Sequence, residues 1–212
     1  MLFDLDGTLA DTAPDLAYAL NCLLHEQGHA PLSLQTIRPV VSLGGIAMVR
    51  LAFNIDETST DFDALKRRFL QIYRDNIARH TRLFEGMEQV LACLDSQQLA
   101  WGIVTNKPGW LTEPLTVELG LHERTLCIVS GDTVEHAKPH PAPLLYACKL
   151  LNCKAKETLY VGDAKRDIDA GKRADMTTLI ASYGYIDEND EPDTWGANGF
   201  VKTPLEILDW LV

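Results

Sequence analysis

The sequence lacks the cysteine pattern of a disulfide framework or a zinc site. Its five cysteines are scattered and odd in number, and no two of them form a Cys-x-x-Cys pair. We interpret them as small, reduced and mostly buried side chains. No apolar run approaches membrane-spanning length, and residues 1–9 lack the basic leader of a signal peptide. These absences predict a soluble, cytoplasmic protein with no membrane partner.

Positive charge is also scarce. The 212 residues include 30 acidic and 19 basic side chains, which gives a formal net charge of -11. A surface this acidic repels nucleic acid, unless the basic residues gather in one place. We therefore expect no nucleic-acid partner, and an anionic substrate would need a site with its own local positive field.

Several common functional motifs are missing. There is no Gly-x-Ser-x-Gly elbow of a serine hydrolase, and Gly44-Gly45 is not followed by the Gly-Lys-Ser/Thr of a P-loop. The six histidines form no recognised metal-ligand spacing. Serine hydrolases, P-loop enzymes and histidine-based zinc proteins are thus disfavoured.

What the sequence does contain is an alternation of β-rich runs and segments with helical periodicity. The β-rich runs are 101–105, 126–130, 158–162, 177–182 and 199–202, and the helical segments are 86–98, 108–120, 141–153, 166–175 and 204–212. Alternation at this spacing predicts a doubly wound α/β core, in which helices cover both faces of a parallel sheet.

Residues 14–81 have a different pattern, with helical periodicity and no convincing strand. Apolar side chains recur at helical spacing in two stripes. These are Leu16, Leu20, Leu23 and Leu24, then Phe62, Leu65, Phe69, Ile72 and Tyr73. The pattern predicts an α-helical insert at 14–81 after the first strand, with the α/β core formed by 1–13 and 82–212.

Two carboxylates, Asp4 and Asp6, follow the first apolar run and precede Gly-Thr. Residues at i and i+2 of a strand point the same way, so both would face a site beyond the carboxyl end of the sheet. One could act as a nucleophile and the other as an acid and then a base. The alternative is an ordinary acidic turn after a strand.

Three further polar motifs follow later predicted strands. They are Thr105-Asn106, whose polar groups could hold phosphate oxygens, Lys138 before a proline, and Asp163 with Asp167. Hard carboxylate oxygens at a strand end suit Mg²⁺. Each motif alone could be a helix cap or a solvated loop residue. Together they would converge at one sheet edge and complete the groups needed for phosphoryl transfer.

In order and spacing, Asp-x-Asp-Gly-Thr, Thr-Asn, Lys-Pro and Gly-Asp-x-x-x-Asp resemble the four motifs of haloacid dehalogenase-like hydrolases, a family with a Rossmann-like core. Residues 83–87, 101–108 and 183–186 are similar to the phosphoglycolate phosphatase group. The similarity is to a bacterial branch that includes N-acetylmuramic acid 6-phosphate phosphatases.

This resemblance implies a role for each motif residue. Asp4 would attack phosphorus, and Asp6 would protonate the leaving oxygen and then activate water. Mg²⁺ would be held by the Asp4 carboxylate, the Asp6 main-chain carbonyl and Asp163, with Asp167 in support. The phosphate oxygens would be held by Thr105, Asn106 and Lys138.

The resemblance also implies that the helical insert is a cap whose loop at Ser42, Gly44 and Gly45 reads the substrate. Arg50 is the candidate donor to a substrate carboxylate, or else a solvated helix residue. The expected substrate is a small phosphomonoester such as 2-phosphoglycolate or N-acetylmuramic acid 6-phosphate, and the expected state is a monomer or weak dimer. A sugar phosphomutase or a non-catalytic binding protein on the same fold remain the alternatives.

Overall fold

The β-rich runs form one parallel sheet in the computed structural model, which describes residues 1–125 and 127–211. The strands of this sheet are β1 (Leu2–Phe3), β4 (Gly102–Val104), β5 (Ile128–Val129), β6 (Leu159–Gly162), β7 (Thr177–Ala181) and β8 (Gly199–Val201). Two further short strands, β2 (Ala10–Asp11) and β3 (Arg82–Leu83), form a separate pair. The six-stranded order is β5-β4-β1-β6-β7-β8, with every pairing parallel. The predicted α/β fold class is therefore confirmed.

Eight α-helices occur in the described part of the chain. They are α1 (Ala13–Glu26), α2 (Leu34–Ile37), α3 (Gly44–Phe53), α4 (Phe62–Asp75), α5 (Met87–Ser96), α6 (Gly109–Glu118), α7 (Ala142–Leu150) and α8 (Lys165–Arg173). Each of the predicted helical segments in 86–175 thus coincides with an α-helix to within a few residues at its ends. Leu126 and Val212, at the ends of two predicted segments, lie outside the described residues.

The predicted helix at 204–212 is wrong in type, because Pro204–Trp210 forms a 3₁₀-helix. Its buried residues, Pro204 and Ile207, are three apart. Side chains at i and i+3 eclipse in a 3₁₀-helix, so this spacing puts them on one side. The apolar periodicity was too short to separate a period of 3.0 from one of 3.6.

Strand β1 lies at the point where the strand order reverses. From β1 the sheet extends through β4 and β5 on one side and through β6, β7 and β8 on the other. Phe3 pairs with Ile103 and with Val161, and all three side chains are fully buried. Ligands of open α/β sheets bind beyond the carboxyl ends of the strands at such a switch point, and Asp4 is the next residue after β1.

The chain divides into two compact units, one formed by Met1–Asp11 and the chain from Leu83 onward, the other by Thr12–Arg82. The second unit holds helices α1 to α4, and its described residues include no strand before β3. Helices α1 and α4 pack together through their apolar stripes, of which Leu65 alone is only partly buried. That this unit is a cap with boundaries at 14 and 81 stays a prediction.

One helical stretch in the described residues, Leu34–Phe53, has the length and composition of a membrane span, with a mean hydropathy of 1.4. This corrects the expectation that no apolar run approaches that length. The stretch carries Arg38 and Arg50, and its backbone changes direction at Gly44, where φ is +80°. Length and composition alone do not assign it to a membrane.

Within the unit Thr12–Arg82, the fully buried carboxylate of Asp15 joins α1 to the end of the unit. It accepts hydrogen bonds from the main-chain N–H groups of His80 and Thr81 and from the Thr81 hydroxyl, at 2.8–3.0 Å. Burial acts to raise the pKa of Asp15, but these hydrogen bonds outweigh it and lower that pKa. The ionised carboxylate therefore stabilises this unit.

Asp15→Asn should lower the free energy of unfolding by about 2–4 kcal/mol, because an amide cannot accept all of these donors. Urea unfolding would measure the loss, with Asp63→Asn on the exposed face of α4 as the control. Since the folded pKa of Asp15 is depressed, its contribution is present above the unfolded value and disappears as pH falls through the folded pKa. The difference in free energy of unfolding between wild type and variant should therefore become smaller below about pH 4. A gap that widened in acid would contradict this account.

Candidate active site

Three buried carboxylates meet beyond the carboxyl ends of β1 and β6. Asp4 follows β1, Asp163 follows β6, and Asp167 lies in the first turn of α8. One oxygen from each lies within 4.8 Å of the others, and none of the three residues is more than 2% exposed. Like charges this close repel unless cations lie among them.

The buried ammonium of Lys138 is one such cation. Its Nζ lies 2.9 Å from Asp4 Oδ1, 2.7 Å from Asp167 Oδ1, 2.8 Å from the Val104 carbonyl oxygen and 2.7 Å from the Tyr160 hydroxyl oxygen. An ammonium has three N–H donors, so four oxygens cannot each receive one. Asp4 Oδ1 is the oxygen left without a hydrogen bond, although it remains in ion-pair contact.

The two carboxylates that share Lys138 differ in their acidity. Burial raises the pKa of Asp4, and the positive charge of Lys138 only partly opposes this effect. Burial also acts to raise the pKa of Asp167, but the charges of Lys138 and Arg166 outweigh it, so that pKa is lowered. Asp167 is therefore the firmer anion, and it also accepts the main-chain N–H of Ala164 at 3.0 Å, at the start of α8.

Asp163 is held in place by groups from two other loops. The Thr8 hydroxyl donates to its Oδ1 at 2.9 Å, and the main-chain N–H of Tyr185 donates to its Oδ2 at 3.0 Å. Gly7 makes this approach possible, because a Cβ there would lie 2.2 Å from Asp163 Oδ2, and its φ is +87°. Gly7 and Thr8 therefore position Asp163, Gly7 by leaving space for its carboxylate and Thr8 by donating a hydrogen bond to it.

The Thr-Asn motif follows β4 at the same sheet edge. Both polar side-chain atoms of Asn106 bind the main chain of Lys138, with Nδ2 donating to its carbonyl at 2.8 Å and Oδ1 accepting from its N–H at 2.9 Å. The Thr105 hydroxyl accepts the main-chain N–H of Lys107 at 3.1 Å. Asn106 therefore ties the loop of Lys138 to the end of β4, and one N–H of its side-chain amide is left to donate elsewhere.

Asp6, the second acid of the first motif, has its own cationic neighbour. Lys107 Nζ lies 2.9 Å from Asp6 Oδ1, and the Lys107 side chain is only 7% exposed. The site edge therefore holds two ammonium groups, one beside each acid of the Asp-x-Asp motif. Lys107 and Asp6 are 101 positions apart in the sequence, so no local pattern predicts that they pair.

The substrate-loop residues predicted in the insert lie in the unit Thr12–Arg82. Ser42 belongs to a 3₁₀-helix at Arg38–Leu43, and Gly44 and Gly45 open α3. Arg50 does not stand alone on α3, since its Nε and Nη2 both bind Glu57 Oε2. That Arg50 reads a substrate carboxylate stays a prediction.

Sequence reasoning missed three residues of the site: Lys107, Tyr160 and Arg166. Tyr160 lies inside β6 and reads as an apolar core residue, yet its hydroxyl contacts Lys138 and lies 3.3 Å from Asp167 Oδ1. Burial raises the pKa of Tyr160 well above its usual value, so it stays a neutral hydroxyl. Only the motif spacing around Arg166, between Asp163 and Asp167, could have drawn attention to it.

The donor set fits a hard divalent cation. Carboxylate oxygens are the ligands that Mg²⁺ prefers, and Asp4 Oδ1 is a buried acceptor with no hydrogen bond to satisfy it. A cation beside Asp4 and Asp163 would supply the missing partner and reduce the repulsion among the acids.

Comparisons with known proteins agree with this geometry. A family model described as haloacid dehalogenase-like hydrolase matches residues 1–181. The N-acetylmuramic acid 6-phosphate phosphatase of Pseudomonas putida is 44% identical over 98% of this chain and 93% of that protein. A phosphoglycolate phosphatase of Xanthomonas campestris is 39% identical over 99% of this chain and 94% of its own length. The crystal structure of a predicted phosphoglycolate phosphatase from Haemophilus somnus has a TM-score of 0.88 at 27% identity, covering 100% of this chain and 96% of that one.

The chain therefore belongs to the haloacid dehalogenase-like hydrolase family. Within it, the chain is a phosphatase, a hydrolase of phosphoric monoesters, which confirms the resemblance inferred from the four motifs.

Proposed function

We propose that this phosphatase hydrolyses a small phosphorylated metabolite in the cytoplasm, through a phosphoryl group carried on Asp4 and with Mg²⁺ as cofactor. The observation that carries the proposal is the cluster of Asp4, Asp163 and Asp167 around Lys138 at the switch point of the sheet. It brings a nucleophile, metal ligands and a cation for phosphate to one place.

In the first step, a carboxylate oxygen of Asp4 forms a bond to phosphorus as the bond to the leaving oxygen breaks. Asp6 gives its proton to that oxygen, which departs as an alcohol. In the second step, Asp6 takes a proton from water, the water oxygen bonds to phosphorus, and the bond to Asp4 breaks. Inorganic phosphate leaves, and both carboxylates return to their starting state.

The remaining residues bind and orient the phosphoryl group. Lys138 and the Thr105 hydroxyl hold its oxygens, and the main chain at Asn106 contributes to the same cradle. Asp4, the Asp6 carbonyl and Asp163 would hold Mg²⁺, with Asp167 positioning Lys138. The ion supplies Lewis-acid stabilisation of the charge on the transferred group.

The substrate we favour is a phosphorylated carboxylic acid of metabolite size. The two relatives described above are named for 2-phosphoglycolate and for N-acetylmuramic acid 6-phosphate, and both of these molecules carry a carboxylate. Lys107 lies beside Asp6, the acid that meets the leaving oxygen, and is a candidate donor to such a carboxylate, as Arg50 is. Each of these two cations also pairs with an acid, Asp6 and Glu57 respectively.

A phosphate-release assay tests the proposal. The purified chain should hydrolyse an aryl phosphate with added Mg²⁺, lose activity in excess chelator and regain it when Mg²⁺ is restored. Comparison of kcat/KM should place 2-phosphoglycolate or N-acetylmuramic acid 6-phosphate above glucose 6-phosphate. Full activity in chelator would contradict the metal role, a preference for glucose 6-phosphate would contradict the acid substrate, and a need for a sugar bisphosphate activator would indicate a phosphomutase.

A further inference from the structure

Arg166, in the first turn of α8, has an unsatisfied donor in the active site. The described residues contain two buried side-chain N or O atoms with no hydrogen-bond partner, and these are Arg166 Nε and Asp4 Oδ1. One is a donor and the other an acceptor, and they do not bond to each other. A buried donor without a partner costs free energy, most of all when the group is charged.

The guanidinium lies in the field of the same carboxylates that form the site. Burial acts to lower the pKa of Arg166, but the negative charges of Asp167, Asp4 and Asp163 outweigh it and raise that pKa. Arg166 in turn helps to lower the pKa of Asp167. The positive charge of Arg166 therefore offsets the negative charges of the active-site carboxylates, and Arg166 is not an ordinary surface cation.

A count of charges shows why this balance matters. In the proposed mechanism Asp6 carries its proton when substrate binds, so the three ionised acids Asp4, Asp163 and Asp167 face the three cations Lys107, Lys138 and Arg166, and the net charge is zero. A divalent cation changes this to +2, whereas without Arg166 the loaded site would carry only +1. In a chain with a net charge of -11, this excess is what attracts a phosphate dianion.

The two unsatisfied atoms match the two components that phosphoryl transfer requires. A metal ion would satisfy the acceptor on Asp4, and a phosphate oxygen would satisfy the donor on Arg166. Lys138 alone offers the phosphoryl group few donors, because the four oxygens around it already exceed its three N–H groups.

We propose that Arg166 binds the phosphoryl group directly, donating Nε–H to one of its oxygens in the substrate and in the released phosphate. This assignment rests on the proposed phosphatase mechanism and adds to it a catalytic residue at one of the unspecified (x) positions of the fourth motif. Nε is the donor concerned, so a lysine at this position should replace the charge but not the full contact.

Binding of inorganic phosphate to the Mg²⁺-loaded protein, measured by titration calorimetry, tests the assignment without turnover. Arg166→Gln should weaken phosphate binding by about 10- to 100-fold, the usual effect of losing a charged hydrogen bond. Arg166→Lys should fall between this variant and wild type. The matched control is Lys165→Gln, the exposed neighbour on α8 that pairs with Asp169, and it should stay within about twofold of wild type.

Separate titration of Mg²⁺ and thermal unfolding distinguish a direct contact from a structural one. If Arg166→Gln and Arg166→Lys bind phosphate like wild type, or if the change is confined to Mg²⁺ affinity or Tm, the assignment is wrong. If wild type itself neither binds phosphate nor hydrolyses an aryl phosphate, the proposed function fails with it. If the wild type hydrolyses the aryl phosphate but the Arg166 variants bind phosphate normally, only the assignment of Arg166 is wrong and the proposed function stands.

Discussion

Asp4→Asn is expected to abolish turnover, with a loss in kcat of about 10⁴-fold or more, because an amide cannot attack phosphorus. The shape of the site should persist, since Asp4 Oδ1 makes no hydrogen bond that the amide would break. Release of phosphate from an aryl phosphate measures the loss. Mass spectrometry of acid-quenched enzyme should show one added phosphoryl group on wild type and none on the variant.

Asp169→Asn is a matched control for this substitution, because Asp169 lies on α8 and pairs with exposed Lys165. It should keep nearly full activity and the phosphoenzyme signal. Asp6→Asn should label slowly and then hold the label, since the base for the second step is lost. More than a trace of turnover in Asp4→Asn would show that the phosphoryl group does not pass through this carboxylate.

Lys138→Met should both destabilise the chain and inactivate it. Removing the ammonium leaves Asp4 and Asp167 buried and close together, with Arg166 as the remaining cation that acts on both, and breaking a buried pair in this way costs about 3–5 kcal/mol. Loss of the phosphate-binding charge should lower kcat/KM by about 10³-fold. Urea unfolding and the phosphate-release assay measure the two effects, with exposed Lys149→Met as the control.

The double variant Lys138→Met/Asp167→Asn separates stability from catalysis. Neutralising Asp167 removes one of the two buried charges, so at least half of the lost free energy of unfolding should return. Activity should not return, because no cation replaces the ammonium at the phosphate. Recovery of activity with stability would mean that Lys138 has a purely structural role.

The fold was predictable because its strands are short β-rich runs separated by helices with clear apolar periodicity. The ends of the elements were less predictable, since only Gly102–Val104 of the run 101–105 forms a strand. The type of the last helix was also not predictable, since Pro204–Trp210 is a 3₁₀-helix. Short apolar periods do not separate these helix types. The stretch Leu34–Phe53 has the mean hydropathy of a membrane span, although its arginines and glycines interrupt any continuous apolar run.

The motif acids and Lys138 were predictable as a group because each follows a strand of one parallel sheet. Their partners were not, because pairings such as Lys107 with Asp6 join residues far apart in the chain. The orientation of Asn106 was also not predictable, because the sequence does not show that its Nδ2 and Oδ1 both hydrogen-bond to the main chain of Lys138.

The close approach of Gly7 to Asp163 has a meaning for how this sequence can drift over generations. The space that a methyl group would need at position 7 is filled by the Asp163 carboxylate, and the backbone there is in a left-handed conformation. Any larger residue at position 7 should therefore displace the Asp163 carboxylate. Although the two positions lie far apart in the chain, the side chain at position 163 decides what position 7 can tolerate.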